Sequence, residues 1–323
     1  MNLLITGGTG FFGRALLRHL DSEERATGRL PYGRVTVLTR SPYNFSQRYP
    51  EIAALPWLSL HAGDLLSPGT LPKADKYHSI LHAAADSTEA AALTPLQTYR
   101  QIVEGTENML RFAVTCGAER FLLTSSGGVY GPQPIDMETI SETYHAMPDP
   151  LNPLNAYGVS KRCAEHLCAQ YWHQHGLKTV IARCFAFIGQ DLPTDAHFAI
   201  GNFIRDALLR PQIVVNGDGS PVRSYMHQSD LARWLFTLLQ LGEAGNAYNV
   251  GSDEAHSLSD VANMVQIILA PEKKVVIHNN QLSDNVQRSR YVPNISKVRN
   301  QMGLDIKVSL KQAIEFHKSK GAY

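Results

Sequence analysis

A tyrosine and a lysine, Tyr157 and Lys161, have the types and the spacing that most directly suggest catalysis. They stand four positions apart in a pattern that predicts a helix over 156–175, so both project from one face of that helix. An ammonium group beside a phenol favours the phenolate and lowers the pKa of the tyrosine. Tyr157 is therefore predicted to transfer a proton to or from a reacting oxygen as a general acid–base catalyst.

A glycine-rich turn over residues 6–13 precedes the first predicted helix. Residues without a Cβ allow a tight turn, let a pyrophosphate approach backbone N–H groups, and place it at the positive end of a helix. The turn lies between a predicted strand and a predicted helix, which is the context that dinucleotide binding requires. The cofactor contacts expected from this segment are Gly7, Thr9, Gly10, Phe11, Phe12 and Gly13.

Short apolar strands alternate with helical patterns through the first half of the chain. This alternation predicts parallel βαβ units, and apolar runs such as NLLI and FLLT are typical of strands buried on both faces. The handedness of crossover connections then predicts an α/β fold, a Rossmann-type doubly wound parallel sheet with ligands at its carboxyl edge. Strands are predicted at 2–5, 34–39, 57–61, 79–84, 120–124 and 178–184, and helices at 12–21, 99–116 and 156–175.

The pattern changes after about residue 184, where glycine, proline and short strands mix with helices. We therefore expect a dinucleotide-binding domain over 1–184 and a smaller α/β substrate-binding lobe over 185–323, with interleaving near the C-terminus. The proline-rich stretch 131–153 is too long for a simple connector and is predicted to be a functional loop. In the second lobe, strands are predicted at 213–215, 248–250 and 275–277, and helices at 201–209, 229–241 and 257–269.

The composition of the 323 residues is that of a globular protein, with 44% hydrophobic residues and a formal net charge of +1. This balance lacks the basic excess typical of proteins that bind nucleic acid or anionic membranes. No apolar run approaches the ~20 residues that a membrane span needs, and no basic segment precedes one at the N-terminus, so a cytoplasmic protein is expected. The four cysteines form no metal-ligand pattern, and no metal is expected.

The glycine turn, the segment Ser125-Ser126-Gly127-Gly128-Val129-Tyr130-Gly131 and the Tyr157/Lys161 pair occur in an order that resembles the extended short-chain dehydrogenase/reductase family. This family contains nucleotide-sugar epimerases, dehydratases and reductases, and the resemblance covers nearly the whole chain. It implies a catalytic triad of Ser126, Tyr157 and Lys161. In that triad Ser126 orients the reacting oxygen, and Lys161 also binds the nicotinamide ribose.

The same resemblance implies further cofactor contacts at the ends of the second, third and fourth strands. Family members that bind NAD place an aspartate at the end of the second strand, where this chain has Thr39. Arg40 and Ser41 follow and are suited to a 2′-phosphate, so NADPH is the expected cofactor, with NAD as the alternative. The other implied contacts are Asp64, Leu65, Ala83, Ala84 and Ala85.

In the second lobe, segment 216–230 is similar to the family pattern G-x-G-x-x-x-R-x-[YF]. The resemblance implies that Arg223 binds the diphosphate of a nucleotide sugar, with Asn202 near it. Either Arg288 or Arg290 would be a second phosphate contact. Ser126 and Gly127 would complete the substrate contacts. By analogy, helices 99–116 and 156–175 would form a homodimer contact.

The pair Gly127-Gly128 stands where 4,6-dehydratases of the family carry Asp-Glu. Elimination of water needs a general acid and a general base, and glycine supplies neither. The expected function is therefore NADPH-dependent reduction of a nucleotide-linked 4-keto-6-deoxy sugar at C4. Alternatives are a nucleotide-hexose 4-epimerase with tightly bound cofactor and a dinucleotide-sensing protein without turnover.

Overall fold

The computed structural model of the protein describes residues 1–73, 76–84, 93–194, 198–278 and 290–318. Numbered in chain order, the described strands are β1 (Asn2–Thr6), β2 (Arg34–Thr39), β3 (Leu58–Ala62), β4 (Ser79–His82), β5 (Arg120–Ser126), β6 (Lys178–Cys184), β7 (Phe187–Ile188), β8 (Ile213–Asn216), β9 (Val222–Arg223), β10 (Met226–His227), β11 (Asn246–Val250), β12 (His256–Ser257), β13 (Val275–His278) and β14 (Arg290–Tyr291). The described α-helices are α1 (Phe11–Thr27), α2 (Pro42–Arg48), α3 (Pro50–Ala53), α4 (Pro95–Cys116), α5 (Ala156–His175), α6 (Ala199–Leu209), α7 (Gln228–Leu241), α8 (Leu258–Leu269), α9 (Ser296–Met302) and α10 (Leu310–Glu315).

The central sheet has seven strands in the order β11-β6-β5-β4-β1-β2-β3. Each adjacent pair from β6 to β3 is parallel. The chain winds outward from β1 in both directions, so the predicted doubly wound Rossmann-type sheet is confirmed. The carboxyl ends of β1 and β4 lie side by side at the point where the direction of winding changes.

One face of this sheet is covered by α4 and α5, whose apolar residues pack on those of the strands. Ile102 and Met109 of α4 share a buried cluster with Ala164 of α5 and Phe121 of β5. Burial of such side chains contributes about 1.5–3 kcal/mol each, which fixes both helices against the strand ends. The catalytic candidates on α5 are held by this packing.

Helix ends follow capping chemistry, and this explains where predicted and observed bounds differ. Helix α4 begins at Pro95, ahead of the predicted 99, because the Thr94 and Gln97 side chains form a capping box with each other's backbone. Helix α1 continues to Thr27, beyond the predicted 21, and stops where Gly28 adopts a left-handed conformation with φ 65°.

The chain divides into two compact units that exchange segments. The first unit comprises 1–129, 147–184 and 232–248, and the second comprises 130–146, 185–231 and 249–323. One segment of the first unit ends at residue 184, whereas 130–146 belongs to the second unit and 232–248 to the first. Within the first unit, the Arg120 guanidinium donates to the carbonyls of Leu239 and Gly242, which holds the late segment beside β5.

The second unit has a core of its own, formed by α6, α8 and α10 around the parallel pair β8 and β13. Fully buried Asp230 accepts hydrogen bonds from the backbone N–H groups of Lys307 and Val308, at 2.9 and 3.0 Å. This is a structural role, because the carboxylate satisfies backbone donors in the segment between α9 and α10. Within the described residues, no helix is both long and apolar enough to cross a membrane.

Candidate active site

The glycine turn needs glycine because its backbone lies in close contact with neighbouring backbone atoms. Gly7 has φ 71°, and a Cβ there would lie 2.4 Å from the carbonyl oxygen of Ala83. A Cβ at Gly13 would lie 2.1 Å from the Cα of Gly8, so the first turn of α1 passes directly over the loop. These two positions exclude any side chain, and they hold the turn against the end of β4.

The N-terminus of α1 begins at Gly10, which occupies the N-cap position without a side-chain cap. Backbone N–H groups in the first turn of a helix have no intrahelical partner and attract negative charge. A pyrophosphate matches this set of donors. The residues present therefore fit the diphosphate of a nicotinamide dinucleotide, and Gly7, Thr9, Gly10, Phe11, Phe12 and Gly13 stay the predicted contacts.

The end of β2 places Thr39, Arg40 and Ser41 in sequence beside the end of β1. The Ser41 hydroxyl caps α2 by accepting from the Asn44 N–H at 3.2 Å, and the Thr39 hydroxyl accepts from the Ser41 N–H at 3.3 Å. Arg40 is exposed. A hydroxyl that accepts one bond still carries a proton to donate, so Ser41 remains suited to a phosphate oxygen.

The ends of β3 and β4 supply the remaining predicted cofactor contacts. Asp64 accepts from the Leu66 N–H at 2.9 Å, and the Leu65 carbonyl accepts from the Asn108 side chain at 2.8 Å. The Ala84 N–H donates to the Thr6 hydroxyl at 3.2 Å, which ties the segment after β4 to the glycine turn. Predicted contact Ala83 follows β4 directly, whereas Ala85 lies outside the described residues.

Tyr157 and Lys161 both lie in the first turns of α5, as predicted. The Lys161 Nζ lies 5.8 Å from the centroid of the Tyr157 ring and donates to the Thr124 carbonyl at 2.8 Å. Lys161 is only 2% exposed, whereas Tyr157 is half-buried. The lysine amino group therefore lies inside the protein, close to the ring of a half-buried tyrosine.

Ser126 ends β5, and the chain then forms a 3₁₀ turn over Gly127–Tyr130. The Gly128 N–H donates to the Ser126 hydroxyl at 3.0 Å, which fixes the oxygen and leaves its proton for another acceptor. A Cβ at Gly158 would lie 2.7 Å from the Gly128 carbonyl oxygen, so α5 packs directly on this turn. Ser126 is thereby held beside the helix that carries the tyrosine and the lysine.

His82, at the end of β4, forms buried hydrogen bonds that the sequence pattern does not predict. Its ring nitrogens lie 2.7 Å from the Thr6 hydroxyl and 3.2 Å from the Thr106 hydroxyl. Burial, with the nearby charge of Lys161 as the second cause, lowers the pKa of His82 to about 3. The imidazole is therefore neutral at physiological pH and links the glycine turn to α4.

A second buried group was missed by sequence reasoning. Glu165 accepts from the Ser125 hydroxyl at 2.6 Å and forms an ion pair with Arg183 at 2.7 Å. These contacts join β5, α5 and β6 immediately beside Ser126. A signal exists in the sequence, since Glu165 follows Lys161 by four positions and so shares its helix face.

The predicted substrate residues of the second unit occupy separate places within it. Asn202, on α6, accepts from Arg205 at 3.0 Å and lies on an open depression of about 390 Å³. Strand β14 pairs with β9 so that Arg290 lies opposite Val222, and Arg223 opposite Tyr291. Side chains alternate along a strand, so this register directs Arg223 and Arg290 to opposite faces. Arg290 donates to the Glu138 carbonyl at 2.7 Å, whereas Arg288 lies outside the described residues.

Among the described residues, no three histidine, cysteine or carboxylate side chains lie close enough together to hold a metal ion. The site combines a glycine turn after β1 with a serine at the end of β5, two strands away, and with a tyrosine and a lysine on α5. The model of the NAD dependent epimerase/dehydratase family matches residues 3–251. The chain belongs to this family. It is an enzyme of the extended short-chain dehydrogenase/reductase type.

Relatives within the family differ in the reactions they are named for. The UDP-glucuronic acid decarboxylase 6 of Arabidopsis thaliana is 29% identical over 97% of this chain and 87% of its own length. A dTDP-glucose 4,6-dehydratase of Streptomyces venezuelae, solved with NAD, is 25% identical with a TM-score of 0.83, over 99% of this chain and 96% of its own. The structure of RMD from Pseudomonas aeruginosa, complexed with NADPH, is 25% identical with a TM-score of 0.78, over 98% and 97%.

Proposed function

We propose that this enzyme uses NADPH to reduce the C4 carbonyl of a nucleotide-linked 4-keto-6-deoxy sugar. The observation that carries the proposal is the 3₁₀ turn Gly127–Tyr130, which follows Ser126 with two glycines and packs directly against α5. The site thus has the groups for transfer of one proton at one oxygen. Gly127 and Gly128 supply no acid or base there for a second proton transfer at a neighbouring carbon.

The proposed chemistry needs few groups from the chain. A bound reduced nicotinamide supplies the hydride that adds to the carbonyl carbon. Ser126 donates a hydrogen bond to the carbonyl oxygen and stabilises its developing negative charge. The Tyr157 phenol then transfers its proton to that oxygen, and Lys161 stabilises the phenolate that remains until solvent returns a proton. The net result is a secondary alcohol and oxidised cofactor.

The cofactor preference rests on the end of β2. Thr39 there carries no charge, so it lacks the carboxylate that would accept from the ribose 2′-hydroxyl and repel a 2′-phosphate. Arg40 and the Ser41 hydroxyl follow within two residues and can donate charge-assisted bonds to that phosphate. NADPH in the complex of RMD shows that a related fold accommodates it.

The substrate class rests on the second unit. Arg223 carries a guanidinium whose paired donors suit a diphosphate, and Asn202 lies on a depression bordered by α6 and the segment leading to β8. We assign the diphosphate to Arg223 and a separate substrate contact to Asn202. The pairing of β9 with β14 directs Arg223 and Arg290 to opposite faces of the two strands. Arg290 would therefore contact a part of the substrate other than the phosphate bound by Arg223.

Two other activities use the same triad. Relatives named as decarboxylases match nearly the whole chain. In such a reaction, oxidation at C4 makes the sugar carboxylate a β-keto acid, which loses carbon dioxide before the ketone is reduced again. A 4-epimerase would return hydride to the other face of C4. Both reactions leave the cofactor unchanged after a cycle, whereas the proposed reductase consumes it.

The experiment mixes the purified enzyme with NADPH and three substrate groups: 4-keto-6-deoxy nucleotide sugars, nucleotide hexoses and a nucleotide uronic acid. The proposal expects loss of one NADPH for each molecule of a 4-keto sugar, measured by nicotinamide absorbance and by chromatography of the product. Carbon dioxide release from the uronic acid, or a new epimer, without consumption of added NADPH would overturn it. The Tyr157→Phe variant is the control for contaminating reductases.

We also propose a homodimer formed through α4 and α5. These helices pack against each other and leave Leu96, Tyr99 and Trp172 exposed, at 60%, 40% and 37%. Exposed apolar side chains on adjacent helices favour association with a second copy. Light scattering after size-exclusion chromatography measures the mass, and the Tyr99→Glu variant should shift a dimer toward monomer.

A further inference from the structure

Arg14 is an arginine in the first turn of α1 that the reaction described above does not use. It follows Gly13 directly and is only 9% exposed, which is unusual for an arginine at the start of a helix. Its Nη1 donates to the Thr9 carbonyl at 2.8 Å, so the guanidinium folds back on the glycine turn. Its central carbon also lies 4.6 Å from the centroid of the Tyr49 ring.

These two contacts place the Arg14 guanidinium between two segments of the first unit. Thr9 belongs to the glycine turn, and Tyr49 follows α2, the helix that Ser41 caps immediately after β2. In a doubly wound sheet, the adenosine ribose lies between the turn after the first strand and the end of the second. The Arg14 guanidinium therefore contacts the glycine turn directly, and it packs on the far end of the helix that begins where β2 ends.

A second cation lies at the same ring. The Arg48 guanidinium is 5.5 Å from the centroid of the Tyr49 ring. Cationic side chains that gather around one ring repel one another, and an anion bound among them offsets that repulsion. Tyr49 orients two of these cations by contact with its π face.

We propose that Arg14 is a specificity residue for the 2′-phosphate of the cofactor, acting together with Arg40. This inference rests on the NADPH preference proposed above, and it gives the 2′-phosphate a second cationic partner beside Arg40. A guanidinium has five N–H donors in a fixed fork, so one edge can bind the Thr9 carbonyl while another edge binds phosphate oxygens. Arg14 is buried whereas Arg40 is exposed, so Arg14 is the more rigid of these two arginines. Its packing on Tyr49 fixes the direction of the guanidinium before the phosphate binds.

The test measures binding without turnover. Isothermal titration compares adenosine 2′,5′-bisphosphate with adenosine 5′-monophosphate, two probes that differ only in the 2′-phosphate. The variants are Arg14→Gln, Arg14→Lys and the control Arg18→Gln. Arg18 lies one turn further along α1, where it pairs with Glu51 at 3.3 Å. Circular dichroism and thermal melting verify the fold of each variant.

In Arg14→Gln, affinity for the bisphosphate should fall about tenfold or more, as loss of a charged hydrogen bond implies, while affinity for the monophosphate changes less than about threefold. Arg14→Lys should give an intermediate loss, because a point charge remains but the fork is lost. Arg18→Gln should bind both probes as the unchanged protein does. An equal loss for both probes would show that Arg14 only braces the turn, and no loss would remove it from the site.

Binding of the two probes to the wild-type protein tests the NADPH preference separately from the role of Arg14. If it binds the two probes equally, the NADPH preference fails and the role of Arg14 fails with it. If it prefers the bisphosphate and Arg14→Gln keeps that preference, the role of Arg14 alone is overturned. Neither measurement depends on which sugar is the substrate, so failure of the reductase proposal leaves the test intact. Should Arg14→Gln not fold, the Arg14→Lys comparison decides the matter alone, since an unchanged preference there contradicts use of the fork.

Discussion

The Lys161 ammonium donates to the backbone carbonyl of Thr124 across 2.8 Å. Thr124 lies two residues before Ser126 on β5, and its hydroxyl donates to the His82 carbonyl at 3.2 Å. One buried cation thus connects the catalytic helix to the strand that carries the catalytic serine, and through it to β4. The geometry of the triad depends on this connection as much as on the residues themselves.

Replacing Tyr157 with phenylalanine should abolish proton transfer while leaving the cofactor site in place. We expect turnover to fall about 10²–10⁴-fold, the range typical of a lost general acid. Steady-state assays measure the rate, and titration with dinucleotide measures binding. Tyr171→Phe, on the same helix, is the matched control and should retain both. A Tyr157→Phe enzyme with normal turnover would exclude this tyrosine as the proton donor.

Breaking the Glu165–Arg183 pair should cost stability. Both side chains are nearly buried, at 10% and 14% exposure, so Glu165→Gln leaves a guanidinium without its charge partner. The expected loss is about 3 kcal/mol in the free energy of unfolding, measured by urea denaturation. The control is Glu107→Gln, since the Glu107–Arg111 pair is exposed to solvent and its loss should change the free energy of unfolding far less. Similar losses in both variants would contradict the importance of burial.

A methyl group at Gly13 should damage the glycine turn. The Cβ of Gly13→Ala would lie 2.1 Å from the Gly8 Cα, a backbone contact that no rotamer change relieves. We expect a loss of about 3 kcal/mol, at the upper end for overpacking, together with weaker dinucleotide binding. Gly69→Ala is the control, because a Cβ there meets nothing within 4 Å. Equal melting temperatures for the two variants would show that the turn can relax.

The buried imidazole of His82 should make stability depend on acid. Its pKa is lowered from 6.5 to about 3 in the folded protein, so below 6.5 the unfolded chain binds a proton that the folded one excludes. The contribution of neutral His82 to the free energy of unfolding is complete above about pH 6.5 and declines as the pH falls toward 3. His227 acts in the same direction, since burial lowers its pKa to about 4.

Urea denaturation between pH 5 and 6 measures this effect, in a range where most carboxylates stay ionised. Each of the two histidines should raise the free energy of unfolding by about 1.4 kcal/mol for each unit by which the pH rises. His82→Gln should reduce the slope by one such increment, whatever it does to the absolute stability. His173→Gln, an exposed position near the end of α5, should leave the slope unchanged. An unaltered slope in His82→Gln would mean that His82 is protonated in the folded state.

A double change at the end of β2 should reverse the cofactor preference. Thr39→Asp with Arg40→Ala supplies the carboxylate that accepts from a ribose hydroxyl and removes a phosphate donor. NADP⁺ affinity should fall about tenfold or more by titration, while NAD⁺ affinity rises. Arg34→Ala, at the opposite end of β2, is the control and should change neither. Unaltered NADP⁺ binding in the double variant would refute the assignment of Arg40.

Much of the first unit was predictable because parallel strands leave a strong pattern. Strands β2 and β6 and helix α5 have their predicted bounds, since turn residues and apolar runs delimit them locally. Tyr157 and Lys161 lie on one helix face for the same reason. The glycine spacing located the turn, because its chemistry depends on residues adjacent in sequence.

Features that depend on distant residues were not predictable in the same way. The bond from Lys161 to Thr124 spans 37 positions, and the contact of Arg14 with Tyr49 depends on how the segment after β2 folds. The opposite directions of Arg223 and Arg290 follow from a strand pairing that no local pattern reveals. Such relationships are properties of tertiary packing.

The segment exchange between the two units has a consequence for biosynthesis. Because 232–248 belongs to the first unit, a ribosome must release about three quarters of the chain before that unit has all its parts. Until then the carbonyls of Leu239 and Gly242 are not available to Arg120, and β6 lacks its outer neighbour β11. An exposed strand edge of this kind can pair with other chains. Nascent chains should therefore depend on chaperones through that interval, and a gene fragment ending at residue 184 should yield insoluble protein.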